Sequence, residues 1–178
     1  FSEIPPALQN FTRKFINKIS GIYTLGAKRN TGDNAERYNE LIPTKDVRMK
    51  HSERMTRLLG TIANRVYWND GKFDYRPIYY FEAYFDENPF KPTAIIYPLL
   101  NNTSDLSDTN ELQWEYWDSE KYIIMNEEGK IHDEKENPYG ILPFAFTHRE
   151  DQIDSFFVEG ANDIINCNEQ VNISMTEM

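Results

Sequence analysis

The sequence holds one cysteine, Cys167, among 178 residues. A single thiol forms no disulfide within the chain and builds no multi-cysteine zinc site, which favours a reducing compartment. There is no run of about eighteen apolar residues, the length that a membrane-spanning helix needs. The opening Phe1-Ser2-Glu3 carries no signal-peptide pattern, and because residue 1 is not Met the expectation is a processed or partial N-terminus. Asn-x-Ser/Thr triplets begin at Asn10, Asn101, Asn102 and Asn172, and without a secretion signal they read as chance. Catalytic signatures are missing too, with no Gly-x-Ser-x-Gly, phosphate-binding loop or dinucleotide fingerprint. His51, His132 and His148 stand at none of the zinc-ligand spacings. The expectation is therefore a non-enzyme, with no catalytic residue, metal ligand or cofactor assigned.

What is present is aromatic and charged. Eleven Tyr, 11 Phe and 3 Trp exclude a disordered segment and supply enough apolar area for one domain with a core, or two small ones. Net charge is −10, unevenly spread. Residues 1–67 carry 12 Lys+Arg against 6 Asp+Glu, while residues 68–178 carry 7 against 23. A chain so polarised can pair its own halves, pair with a neighbouring copy, or turn one face to a polyanion.

Pro5-Pro6 suits a first helical turn, and Leu8, Phe11, Phe15, Ile16 and Ile19 follow at helical spacing until Ser20-Gly21. A polar, Gly-punctuated loop over residues 26–34 precedes a short helix at about Ala35–Leu41, stopped by Pro43. Thr44 or Asp46 can cap the next helix, in which Val47, His51, Met55, Leu58, Leu59, Ile62 and Val66 form an apolar stripe. Arg48, Lys50, Arg54, Arg57 and Arg65 lie mostly on the other side and form a candidate basic face. A strand near Arg65–Trp68, the Asn69-Asp70-Gly71 turn and Lys72–Arg76 predict a hairpin. Further strands are predicted at Ala94–Tyr97, Glu111–Trp117, Lys121–Asn126 and Lys130–His132, and a turn at Asn137-Pro138-Tyr139-Gly140 opens into another short apolar one. From about Ala161 to Met178 no Gly or Pro occurs, and Ile164, Val171 and Met178 recur at seven-residue spacing as a seam that needs a partner. No Gly, Pro or basic last turn ends this helix, so the expectation is a piece of a longer polypeptide or of an assembly. The predicted class is α+β: N-terminal helices, a small antiparallel meander sheet and a C-terminal helix. The segments are 1–66, helical; 67–160, β-rich; and 161–178, the start of a longer helix. No internal repeat is present.

Most candidate chemistry has a plainer reading. Glu127, Glu128, Asp133, Glu134 and Glu136 could do acid/base work, but carboxylates around a hairpin are ordinarily a solvated face. Asp105 and Asp108 lack the glycine and closing Glu of a calcium loop. His51 falls on the apolar stripe as a hydrogen-bonded core residue, and Cys167 in the helical seam reads as a small hydrophobe. The basic residues could grip phosphates, or could balance acidic sheet residues. Trp114 and Tyr116 share one strand face and Trp117 turns to the other, so the cluster with Tyr122 divides between core and surface. An aromatic-rich module for carbohydrate or peptide is the alternative that such a cluster suggests.

The order of segments carries a resemblance. Thr56-Arg57-Leu58-Leu59-Gly60-Thr61-Ile62-Ala63-Asn64-Arg65 leads into a hairpin. Tyr79–Pro98 follows, with Asp86 and Pro89 before Thr93–Tyr97, and then come Trp114–Tyr122, Asn137–Phe144 and the helix Asp163–Ser174. This series, over roughly residues 46–178, is similar to the N-terminal half of tailed-bacteriophage portal proteins. The resemblance implies a wing-like region leading into the stem, in a structural virion protein forming a closed, dodecameric ring of identical subunits. Double-stranded DNA would pass through that ring, weakly bound, during packaging and ejection. Capsid and tail-adaptor proteins and terminase would be the other partners, with no membrane, in the host cytoplasm during assembly and then at the capsid vertex. Ile164, Val171 and Met178 become candidate subunit contacts or stem seam.

Overall fold

The computed structural model describes residues 9–23, 32–42, 45–99 and 112–177. The α+β class holds, with helices α1 (Phe11–Ile19), α2 (Ala35–Leu41), α3 (Lys45–Leu59) and α4 (Asn162–Glu177), and a 3-10 turn at Gly32–Asn34. The strands are β1 (Thr61–Asn69), β2 (Lys72–Ile78), β3 (Glu82–Phe85), β4 (Pro92–Leu99), β5 (Gln113–Trp117), β6 (Lys121–Asn126), β7 (Ile131–Glu136) and β8 (Phe144–His148). They divide between two antiparallel sheets, β2-β1-β8 and β3-β4-β5-β6-β7, where the sequence predicts one meander. The chain leaves the first sheet after β2, which does not pair with β3, and β8 returns to pair with β1, placing Ala63 opposite Phe146. That pairing crosses the expected division at residue 66, since β1 begins at Thr61 and is the middle strand of its sheet.

Local chemistry explains the boundaries. The Asn10 side chain caps α1 by accepting from the Arg13 N–H at 2.7 Å, so the cap lies closer to the helix than Pro5-Pro6. Residues 1–8, and with them Pro5-Pro6 and Leu8, fall outside the described residues. Asp70 and Gly71 both take positive φ, 48° and 76°, as a two-residue type I′ turn between β1 and β2 requires. The Asn-Pro-Tyr-Gly turn is locked by buried Asn137, whose amide donates to the carbonyls of Asp118 (2.7 Å) and Ile141 (2.8 Å). Its side-chain oxygen accepts from the Tyr139 N–H at 3.0 Å.

The predicted stripe on α3 is corrected. The helix stops at Leu59, so Ile62 and Val66 belong to β1, and Val47 is 75% exposed. The buried side chains of α3 are polar: Ser52, Glu53 and Thr56. Ser52 Oγ donates to Asn64 Oδ1 at 3.0 Å, and the hydroxyls of Thr56 and Thr147 lie 3.0 Å apart. Glu53 accepts the backbone N–H groups of Ile22 (3.2 Å) and Tyr23 (3.5 Å), fastening the chain after α1. Polar pairing seats this helix on the small sheet, and each partner is satisfied by another.

The two sheets pack through aromatic rings. Ala63, Ile78, Ile95, Tyr97 and Trp117 form the buried centre, with Phe144 against Tyr97 at 5.8 Å and against Trp117 at 6.3 Å between ring centroids. Phe156 and Phe157 extend the cluster toward Phe146 and Phe81, at 5.0 and 5.3 Å.

Candidate functional site

Two features stand out where the sheets meet. The first is a buried polar knot. Arg65 of β1 reaches across to β4 and β5, donating to Glu115 Oε1 at 2.8 Å and to the Tyr97 hydroxyl at 3.1 Å. The Trp117 indole N–H donates to the same carboxylate oxygen at 2.7 Å, and the guanidinium lies 4.5 Å from the Trp117 ring centroid. Glu115 and Trp117 point inward together because they are two residues apart on one strand. Burial, reinforced by the neighbouring Glu115 carboxylate, pushes the Tyr97 phenol far above its usual range. The knot joins the sheets through a buried carboxylate and a guanidinium that keeps partial contact with water.

The second is an aromatic cleft of about 530 Å³ at the end of α3, walled by Tyr80, Phe81, Trp114 and Phe157 with the carboxylates of Glu82 and Glu159. Tyr80 is 68% exposed and Phe157 42%, so these rings are open to a partner. Gly160 lines it, and Gly60 lies at the backbone crossing beside it. A Cβ at Gly60 (φ +85°) would fall 2.0 Å from the Val158 carbonyl oxygen, and one at Gly160 would fall 2.5 Å from that of Leu58. The Ala161 N–H donates to the Leu58 carbonyl at 2.8 Å, so the end of α3 and the start of α4 cross in backbone contact.

No protein-family model and no curated protein matches this chain.

The five predicted basic residues do not form one face. Arg65 belongs to the knot, and Arg48 grips β2 through Asp74 Oδ2 at 2.6 Å and the Tyr75 carbonyl at 3.0 Å. Arg54 lines a groove of about 670 Å³ between α1, α3 and α4, together with His51 and Asn168. Arg57 lines a separate cavity of about 230 Å³ beside His148 and Arg149. Lys50 is half-buried on α3. The correction has a simple cause: β1 begins four residues before Arg65, so helical spacing no longer applies to it.

On α4 the inward residues are Ile164, Ile165, Asn168 and Asn172, with buried Ala161 just before the helix. Val171 is 37% exposed and Met178 lies outside the described residues, so of the predicted seam only Ile164 faces inward. Asn168 Oδ1 accepts the Phe11 N–H at 2.7 Å, and Asn172 pairs with both the N–H (2.9 Å) and the carbonyl (3.1 Å) of Gln9. Asparagines, which apolar periodicity overlooks, thus bind α1 to α4. Cys167 is exposed and not part of a packed seam.

The hairpin acids are surface groups, with Glu134 paired to Lys121 at 2.9 Å and Asp133 to Lys135. Asp105 and Asp108 lie outside the described residues, among which no group of three His, Cys, Asp or Glu could hold a metal ion. No helix among the described residues is long and apolar enough to cross a membrane. His51 Nε2 meets the Tyr79 hydroxyl, a hydrogen-bonded histidine as expected, although exposed.

His148 carries a testable pH response. Burial against Phe156 lowers its pKa below the ordinary imidazole value of 6.5. The unfolded chain therefore binds the extra proton first as pH falls, so stability is complete above pH 6.5 and declines below it. The urea midpoint of the parent is expected to fall more steeply between about pH 7 and pH 5 than that of His148→Gln. Parallel slopes would contradict this.

Proposed function

We propose that this chain is the wing portion of a portal ring subunit, a structural component without catalytic chemistry of its own. What carries the reading is the ordered series Thr56–Arg65, Tyr79–Pro98, Trp114–Tyr122, Asn137–Phe144 and Asp163–Ser174, which is similar in order and spacing to portal proteins. Two physical features support it. Apolar side chains stay open on and beside the outer helices, among them Phe15 at 47%, Ile22 at 65% and Ile173 at 56% exposure. The charge polarity, basic before residue 67 and acidic after it, suits head-to-tail contact between identical copies. On this reading identical subunits close a ring at the capsid vertex, with capsid and tail-adaptor proteins and terminase as further partners. Double-stranded DNA passes through without tight binding, since strong phosphate contact would stall it. Mass photometry of the intact protein is the test: a single high-mass ring species is expected, and a clean monomer at micromolar concentration would overturn the proposal.

A further inference from the structure

Two surfaces outside the knot present exposed apolar or aromatic side chains. One is the outer face of α1, where Phe11, Phe15 and Ile19 recur every fourth residue at 41%, 47% and 41% exposure. Ile22, just beyond the helix, is 65% exposed. Lys14 and Lys18 run beside this stripe, the Lys14 ammonium 5.4 Å from the Phe11 ring centroid, and α1 contains no acidic residue. The other surface is the aromatic cleft. Its polar rim offers Glu82 and Glu159, no Lys, Arg or His lines it, and neither carboxylate has a cationic partner among the described residues. One surface is convex, apolar and positive; the other is concave, aromatic and negative.

We propose that α1 of one copy docks into the aromatic cleft of a second copy. Phe15 and Ile19 enter between the rings of Tyr80, Trp114 and Phe157, and Lys14 and Lys18 meet Glu82 and Glu159. This is an amphipathic helix laid in a groove, with the lysines also placed over aromatic faces. The chain's own α1 is held elsewhere, since Asn168 and Asn172 fix Phe11 and Gln9 against α4. An anionic membrane is a poorer occupant for the α1 face, because the whole chain carries −10 and would be repelled. The contact joins two different patches, so it propagates head to tail; its closure into a ring rests on the portal reading above.

The test uses two charge-reversed proteins, Lys14→Glu/Lys18→Glu and Glu82→Lys/Glu159→Lys. Each alone is expected to lose self-association by at least about tenfold in mass photometry, the equivalent of about 1.4 kcal/mol. Mixed in equal amounts, they are expected to recover assembly in alternation, because the two native patches that remain still pair and the two reversed patches are now opposite in charge to each other. The neutral pair Lys14→Gln/Lys18→Gln should weaken assembly to an intermediate degree, which separates the charge effect from misfolding. If parent and variants form rings equally well, the docking is wrong while the portal reading stands. If the parent forms only short open chains that the variants abolish, the docking stands and the ring reading fails. Lysine-dependent flotation of the parent with phosphatidylserine vesicles, or an oligosaccharide that quenches Trp114 without affecting self-association, would overturn the docking in favour of those occupants.

Discussion

Glu115→Ala is expected to destabilise the chain by about 3 kcal/mol, because it leaves Arg65 and the Trp117 indole N–H facing an empty site between the sheets. The Arg65 side chain keeps 24% exposure against 5% for Glu115, so water relieves part of the cost and the value falls at the low end of the range for broken buried pairs. Removing both partners, as Arg65→Met/Glu115→Met, is expected to recover the part of the loss owed to the stranded Arg65 charge, while the Trp117 indole N–H still lacks its acceptor. Guanidinium denaturation of the three proteins measures both effects. A loss below about 1 kcal/mol for Glu115→Ala, or a double variant as unstable as the single, would show that the knot does not join the sheets.

The second large effect is at Gly60. An alanine there meets a positive φ and places its Cβ 2.0 Å from the Val158 carbonyl oxygen, a backbone atom with no side-chain freedom to yield. The expected cost exceeds about 3 kcal/mol, enough to deplete the folded form of a marginally stable domain. Gly140→Ala is the control: it has φ +63° but open space around it, so it pays only the backbone term of about 1–2 kcal/mol. Denaturation midpoints compare the two. Equal losses would mean that the crossing of α3 over the 158–160 segment is looser than described.

Much of the fold was legible in the sequence because it is written in local chemistry. Ala35–Leu41 and Lys121–Asn126 match their predicted spans, and the Asp70-Gly71 turn has the backbone its residues demand. The partner of β8 was not legible, because a short apolar strand such as Phe144–His148 carries no mark of which edge it joins, and its partner β1 lies far away in the chain. The end of α3 is hidden in the sequence for a related reason. Leu58, Leu59, Ile62 and Val66 keep helical spacing across Gly60, whose positive φ ends the helix and starts a strand. Apolar patterning also led toward Val47 and away from Ser52, Glu53 and Thr56, since a helix seated by hydrogen bonds has no apolar signature.

The sites divide the same way. Trp117 and Trp114 were separated correctly by strand alternation, but the same parity also places Glu115 inward, and a carboxylate there is the sign that a cation must come from elsewhere. Tyr80, Glu82, Phe157 and Glu159 meet only in three dimensions. No spacing in the sequence joins the β2–β3 turn to the segment before α4, so the cleft had no signal to find.

The central proposal is that identical copies of this protein assemble head to tail into a closed ring. Electron microscopy of the purified intact protein tests it most directly. Two-dimensional class averages are expected to show rotationally symmetric rings with an open central channel, whereas a homogeneous population of single particles the size of one chain would contradict it.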